Sequence, residues 1–245
     1  MPLRALLALL VPVLFVLVPA APRKLAAQER GPDGRARNPG LTGWCETPVA
    51  DRKAEPGCYT TAILPLGTLP RGPLFWHLDS FPTRQAAEAS RGPRGVAVEG
   101  HGKHWLFTIA DESWRPADGE HTAVIGPLVV DQGVSYTAHY LETVIAPDFQ
   151  QGERAGHRHP GPEAWFMVSG AQCLETPNGV ITAREGQSMI APDGWPMAIS
   201  SLGRELRRTL VLVLHRSDEP YSMPVDARAD APNAQWKPRG LCEQK

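Results

Sequence analysis

Short runs of apolar and β-branched residues, separated by turn-forming residues, fill the second half of the chain. In some of these runs polar and apolar side chains alternate, which is typical of strands in the wall of a barrel. Gly, Pro, Asn and Asp occupy the positions between them, as in hairpin turns. The predicted strands are 122–130, 135–146, 164–168, 171–176, 180–183, 187–191, 197–200 and 208–215. Their close spacing indicates a jelly-roll β-barrel over about residues 121–218, and the fold class is mainly β.

A different order of elements precedes this barrel, over residues 44–117. The predicted strands there are 58–66, 74–78, 95–98 and 104–109. Between the second and third of them Thr83 is followed by good helix formers, so the sequence predicts a capped helix. This order predicts a small α+β lobe packed on the barrel. Residues 219–245 are rich in Pro and Asp and predict an extended C-terminal strap rather than a domain.

The N-terminus resembles a secretory signal. Arg4 gives a positive start, residues 5–18 are almost wholly apolar, and Ala20 and Ala27 both fit a cleavage site. The alternative is a membrane anchor, but the apolar run is shorter than the ~20 residues that a spanning helix needs. We expect a signal peptide over residues 1–27, a polar linker over residues 28–43, and an exported protein that is periplasmic or secreted.

The charge balance limits the possible partners. The formal net charge is −1, so the sequence predicts no basic surface for nucleic acid or for an anionic membrane. We expect a small-molecule ligand or substrate, no nucleic acid and, after cleavage of the signal, no membrane.

The four cysteines permit two disulfide bonds in an exported chain. Cys45 and Cys58 are close in sequence and flank a polar loop, so we expect them to pair. A bond between Cys173 and Cys242 would then tie the tail to the barrel. The alternative is that Cys173 is a small buried apolar side chain in a strand.

Candidate metal ligands cluster between residues 157 and 163. His157 and His159 are two residues apart and share one face of a strand. The Pro160-Gly161-Pro162 sequence that follows favours a bend, which brings Glu163 back toward the imidazoles. Two His and one carboxylate form the facial ligand set of non-haem iron sites, which keeps positions open for substrate.

At this point the chain resembles the cupins. Their first motif is His-x-His, three residues, Glu, six residues and Gly, and it is present here with the same spacing at His157, His159, Glu163 and Gly170. Their second motif begins with Gly186 and Pro192-x-Gly194, but Met197 stands at the position of its His. The resemblance implies one divalent metal ion (Fe, Mn, Ni, Cu or Zn) on His157, His159 and Glu163.

Met197 leaves three alternatives for the metal. In the first, Met197 is an apolar lining residue and the metal is held by the other three side chains, with positions open for water, dioxygen or substrate. In the second, His139 or His215 supplies a fourth ligand from a neighbouring strand. In the third, the metal is lost and the barrel only binds a ligand.

The resemblance implies dioxygenase-like, isomerase-like or decarboxylase-like chemistry on a small organic substrate. Tyr140 or Glu142 is a candidate acid–base group, and a homodimer is plausible by resemblance. The expected substrate-binding residues are Trp165, Met167, Trp195, Met197 and Tyr140. The alternative, which Met197 favours, is a non-catalytic cupin that binds a small ligand or a partner protein.

Overall fold

The structure is a computed structural model that describes residues 45, 47–147, 149, 156–225 and 232–242. The predicted signal peptide (1–27) and linker (28–43) lie outside the described residues. The strands are β1 (Gly57–Thr68), β2 (Leu74–Phe81), β3 (Gly95–Gly100), β4 (Lys103–Ala110), β5 (Glu120–Leu128), β6 (Ser135–Ile145), β7 (His157–Arg158), β8 (Glu163–Ser169), β9 (Ala171–Thr176), β10 (Gly179–Arg184), β11 (Ser188–Ala191), β12 (Ala198–Leu202), β13 (Arg207–Arg216) and β14 (Met223–Pro224). One α-helix, α1 (Arg84–Ala89), lies between β2 and β3. The predicted mainly β fold is confirmed. None of the helices in the described ranges is long and apolar enough to cross a membrane.

Two sheets form the jelly-roll barrel. One has five strands in the order β1-β6-β13-β8-β11, and the other has three strands in the order β10-β9-β12. An apolar cluster that includes Trp165, Met167 and Leu174 fills the space between them. Because side chains alternate along a strand, the odd-numbered residues of β6 and β13 face this interior. The predicted jelly-roll architecture is therefore present.

A four-stranded sheet with the order β3-β4-β2-β5 covers the other face of the five-stranded sheet. A second apolar cluster lies between them and contains Trp76, Phe107, Tyr140 and Phe166. The five-stranded sheet is thus the middle layer of three. Both of its faces are buried, and only the inner face contributes to the barrel interior.

The sheets do not follow the predicted boundary between residues 44–117 and 121–218. Strand β1, from the first range, pairs with β6 from Gly57 opposite Val144 to Thr68 opposite Ser135. Strand β5, from the second range, pairs with β2 in the four-stranded sheet. Each predicted unit therefore contributes a strand to a sheet built mainly by the other.

Two disulfide bonds fix the ends of the described chain. Cys45 is bonded to Cys58 and Cys173 to Cys242, so both predicted pairs are confirmed. Near Cys242 the buried Glu175 carboxylate accepts hydrogen bonds from the backbone N–H groups of Arg239 and Leu241. These contacts hold the tail against β9. Two disulfide bonds also indicate an oxidising compartment.

Candidate metal centre

The turn between β7 and β8 fixes the positions of the two His and the Glu of the first motif relative to the barrel. The Arg216 N–H donates to the Pro160 carbonyl at 2.9 Å, and the Leu214 N–H donates to the Pro162 carbonyl at 3.0 Å. Gly161 has φ +151°, and a Cβ at this position would lie 1.8 Å from the Leu214 carbonyl oxygen. Only glycine fits so close to β13. The turn is therefore fastened to the barrel wall, and the predicted bend before Glu163 is present.

His157, His159 and Glu163 converge inside the barrel. They are 7%, 3% and 4% exposed, and one ligand atom from each lies within 4.8 Å of the other two. His159 Nε2 and Glu163 Oε2 contact each other at 2.9 Å, and neither atom has a further partner among the described residues. Both buried atoms therefore lie next to the position that the three candidate ligands surround. This geometry fits a shared cation.

A backbone carbonyl sets the orientation of His159. The Nδ1–H of His159 donates to the carbonyl oxygen of Tyr221, which follows β13. This bond leaves the Nε2 lone pair facing Glu163, as a metal ligand requires. Burial alone would lower the pKa of His159, but the Glu163 carboxylate and the bond to Tyr221 outweigh it and raise that pKa above its ordinary value.

Met197 is the direct neighbour of His157. The His157 N–H donates to the Met197 carbonyl at 3.1 Å, and the Met197 N–H donates to the His157 carbonyl at 2.9 Å. Residues paired in this way carry their side chains on the same face. Met197 is 1% exposed and belongs to the apolar cluster of the barrel interior. A thioether therefore stands where the motif would have an imidazole.

Neither His139 nor His215 joins the ligand group. Among the described residues the only group of three or more His, Cys, Asp or Glu side chains with metal-site geometry is that of His157, His159 and Glu163. His139 Nε2 lies 3.0 Å from Thr60 Oγ1, and His215 Nδ1 donates to the Arg216 carbonyl at 2.9 Å. The fourth-ligand alternative thus finds no support in this arrangement.

The predicted substrate-binding residues occupy three different environments. Trp165, Met167 and Met197 are almost fully buried in the interior cluster beside the ligands. Trp195 is half-buried and lines an open cleft. Tyr140 is 0% exposed and lies on the face of β6 that points away from the barrel interior, toward the four-stranded sheet. Its ring is 5.2 Å from that of Phe107. A sheet separates Tyr140 from Glu163, so its placement does not agree with contact to a substrate at the metal ligands.

Glu142, the other acid–base candidate, also lies on this outer face. Its carboxylate pairs with Arg52 and accepts a hydrogen bond of 2.7 Å from the His101 N–H. It is 1% exposed and holds the segment before β1 against the barrel. Its partners make it a structural group, turned away from the ligand cluster.

A cleft of about 380 Å³ opens beside His159. Its lining residues are Arg158, His159, Pro160, Asp193, Gly194, Trp195, Arg216, Met223, Pro232 and Asn233. Sequence reasoning identified His159 and Trp195 but not the wall formed by the C-terminal residues. The volume suits a small organic molecule.

No protein-family model and no functionally curated protein matches the sequence. Three solved structures illustrate the similarity that is found. Oxalate decarboxylase from Bacillus subtilis is 17% identical, with 43% of this chain and 31% of that chain covered and a TM-score of 0.30. A cupin-2 domain protein from Shewanella frigidimarina is 15% identical, with 35% and 74% covered and a TM-score of 0.24. A structure of DMSP lyases is 23% identical, with 38% and 45% covered and a TM-score of 0.28, so this chain spans less than half of that one.

The described residues form a jelly-roll β-barrel that carries His157, His159 and Glu163 together in its interior.

Proposed function

We propose that this protein is an exported, metal-dependent cupin enzyme that binds one divalent ion through His157, His159 and Glu163. The observation that carries the proposal is the convergence of three buried ligand atoms, one each from His157, His159 and Glu163, within 4.8 Å of one another. Export is proposed from the signal-like residues 1–27, and the two disulfide bonds support it. A homodimer remains a prediction, to be tested by light scattering.

The proposed reaction is dioxygenase-like or isomerase-like chemistry on a small organic substrate. A divalent ion, when bound, supplies Lewis acidity and a template for the substrate. Three protein ligands leave coordination positions open for this role. The cleft beside His159 supports access by a small molecule, and the half-buried Trp195 offers it an apolar contact.

The side chains around the cleft would hold and orient the substrate. Arg216 is already paired with Asp193 at 2.6 Å, so this pair forms a fixed polar edge. The bond from His159 Nδ1 to the Tyr221 carbonyl keeps the imidazole in one orientation while the substrate binds. Met197 and Trp165 exclude water from the interior side of the site.

Elemental analysis of the purified mature protein tests the proposal. We expect one divalent ion per chain in the wild type, and loss of that ion in His157→Ala and in Glu163→Gln, which keeps the side-chain shape but removes the charge. His121→Ala is the matched control, because His121 also contacts a buried carboxylate, Asp79, at 2.8 Å, but in the four-stranded sheet. No metal after reloading with Fe, Mn, Ni, Cu and Zn would contradict the proposal.

The second candidate is a non-catalytic cupin that binds a small ligand or a partner protein. Met197 favours it, because the thioether beside His157 removes a ligand that the cupin motif normally supplies. A turnover that disappears in His159→Ala and persists in His121→Ala would rule this candidate out.

A further inference from the structure

Arg207 places a positive charge inside the barrel. On β13 it lies six residues before Val213, which pairs with Glu163, or about 20 Å along the strand. The side chain points inward, like those of Thr209 and Val211. Arg207 is 3% exposed. Arg207 is therefore an interior residue whose backbone lies at the opposite end of β13 from the partner of Glu163.

The partners of Arg207 within the described chain are neutral. Its Nη1 donates to Gln172 Oε1 at 2.6 Å, and its Nε–H has no partner. No carboxylate among the described residues forms an ion pair with it. Burial lowers the pKa of Arg207 to about 9, and the more distant Glu163 charge only partly opposes this effect. A divalent ion on Glu163 would take up even that negative charge.

Two further donors, from Gln172 and Ser201, lie on the interior face of the neighbouring strands β9 and β12. Gln172 is 0% exposed, and its Nε2 donates to the sulfur of Met189 at 3.4 Å, a weak acceptor. Ser201 lies opposite Gln172 on β12 and shares its face, and its buried Oγ has no partner. Arg207, Gln172 and Ser201 thus bring N–H and O–H donors together without an anionic acceptor.

A buried guanidinium without an anionic partner indicates which kind of ligand would bind beside it. A buried guanidinium is tolerated when its charge is paired and its N–H groups are bonded. Water would satisfy the donors but would not neutralise the charge. A small anion satisfies both requirements, since it accepts several charge-assisted hydrogen bonds at once. One guanidinium that is 3% exposed fits a compact monovalent ion better than a large or multiply charged one.

We propose that Arg207, Gln172 and Ser201 form a binding site for a small monovalent anion, of the size of a halide, inside the barrel. The paired residues Trp165, Val211 and Leu141 form a row across the sheet between the backbone positions of Arg207 and Glu163. The three residues of this site are not among the candidate metal ligands, so the two sites are distinct. The proposal does not depend on the enzymatic function proposed above.

Thermal unfolding of the mature, disulfide-bonded protein in sodium bromide or sodium gluconate, at constant ionic strength, tests the site. We expect bromide to raise Tm with saturation, and gluconate, which is too large, to have no such effect. Arg207→Met should abolish the saturable bromide response. Arg94→Met is the matched control, because Arg94 donates to a backbone carbonyl at 2.9 Å in the four-stranded sheet and should leave the response unchanged.

Ser201→Ala keeps the proposal testable if Arg207→Met does not fold. Loss of one donor should raise the half-saturating bromide concentration several-fold while the plateau remains. Crystals grown in bromide should show an anomalous peak beside Arg207 Nε. An equal response to bromide and gluconate, an unchanged response in Arg207→Met, or an absent peak would overturn the proposal.

Discussion

Replacing Cys173 and Cys242 together by alanine removes the covalent tie between the C-terminal residues and β9. This bond closes a sequence separation of 69 residues, whereas the Cys45–Cys58 bond closes 13. The chain-entropy model gives about 4 kcal/mol for the longer loop and about 3 kcal/mol for the shorter one. We therefore expect the Cys173/Cys242 double variant to lose more unfolding free energy than the Cys45/Cys58 double variant.

Three of the four side chains removed are buried, and Cys45 is half-buried. The lost sulfur contacts therefore add somewhat more to the cost of the Cys173/Cys242 variant, in the same direction as the difference in loop length. Urea unfolding without reductant, with the midpoint and slope fitted for both variants, gives the two free energies. If the Cys45/Cys58 variant loses as much stability as the other, loop length does not govern these bonds.

The same variant has a local consequence. Pro232 and Asn233 line the cleft beside His159, and the chain that carries them is fixed at Cys242 and through the Glu175 hydrogen bonds. Without the disulfide bond, the tail is held by noncovalent contacts alone, among them those bonds and the 3.3 Å bond from Arg158 Nη2 to the Pro232 carbonyl. We expect limited proteolysis to cut between residues 232 and 242 in the native double variant and not in the wild type, with mass spectrometry locating the cut. Equal resistance of both proteins would show that the disulfide bond is not needed to hold this segment.

Three further predictions concern single residues. Burial lowers the pKa of His101 from 6.5 to about 4, so stability should be complete above pH 6.5 and fall by up to about 3 kcal/mol as the pH decreases toward 4. The unfolding free energy, measured by urea unfolding at several pH values, should depend less steeply on pH in His101→Gln than in the wild type. Thr83 accepts a hydrogen bond of 3.1 Å from the Ala86 N–H at the start of α1, so Thr83→Ala should cost about 1 kcal/mol in urea unfolding and Thr83→Ser much less. Met197→His should add an imidazole beside His157 and raise metal affinity at least ten-fold in competition titrations, whereas Met197→Leu should not.

Local patterns predict the strands well because each strand satisfies its own periodicity. The predicted strand 171–176 has the bounds of β9, and helix α1 begins after Thr83 as expected. Strand pairing cannot be predicted from local patterns in the same way. Strands β1 and β6 pair although paired residues are 67 or more positions apart, and no local signal specifies that partner. The boundary expected near residue 120 followed chain order, whereas the sheets exchange β1 and β5 across it.

The ligand cluster is predictable because its spacing within seven residues is itself the geometric signal. The orientation of Tyr140 is not predictable in the same way. Alternation tells which residues of β6 share a face, but both faces of β6 are buried, so burial does not tell which face meets the ligands. The Tyr221 carbonyl that orients His159 has no sequence signature either, because every residue carries such an acceptor.

The position of Met197 and the bond to Tyr221 together indicate how a substrate would approach. The bond to the Tyr221 carbonyl orients the His159 ring without help from a fourth metal ligand. Met197, in the place of that fourth ligand, therefore removes one metal-binding atom while His157, His159 and Glu163 keep their arrangement. On the His157 side the buried Met197 closes the site with apolar surface. On the His159 side the cleft is open and polar, with Trp195 at its edge. We therefore expect substrate analogues to enter past His159, and Trp195→Ala to weaken their binding more than Met197→Leu does in calorimetric titrations.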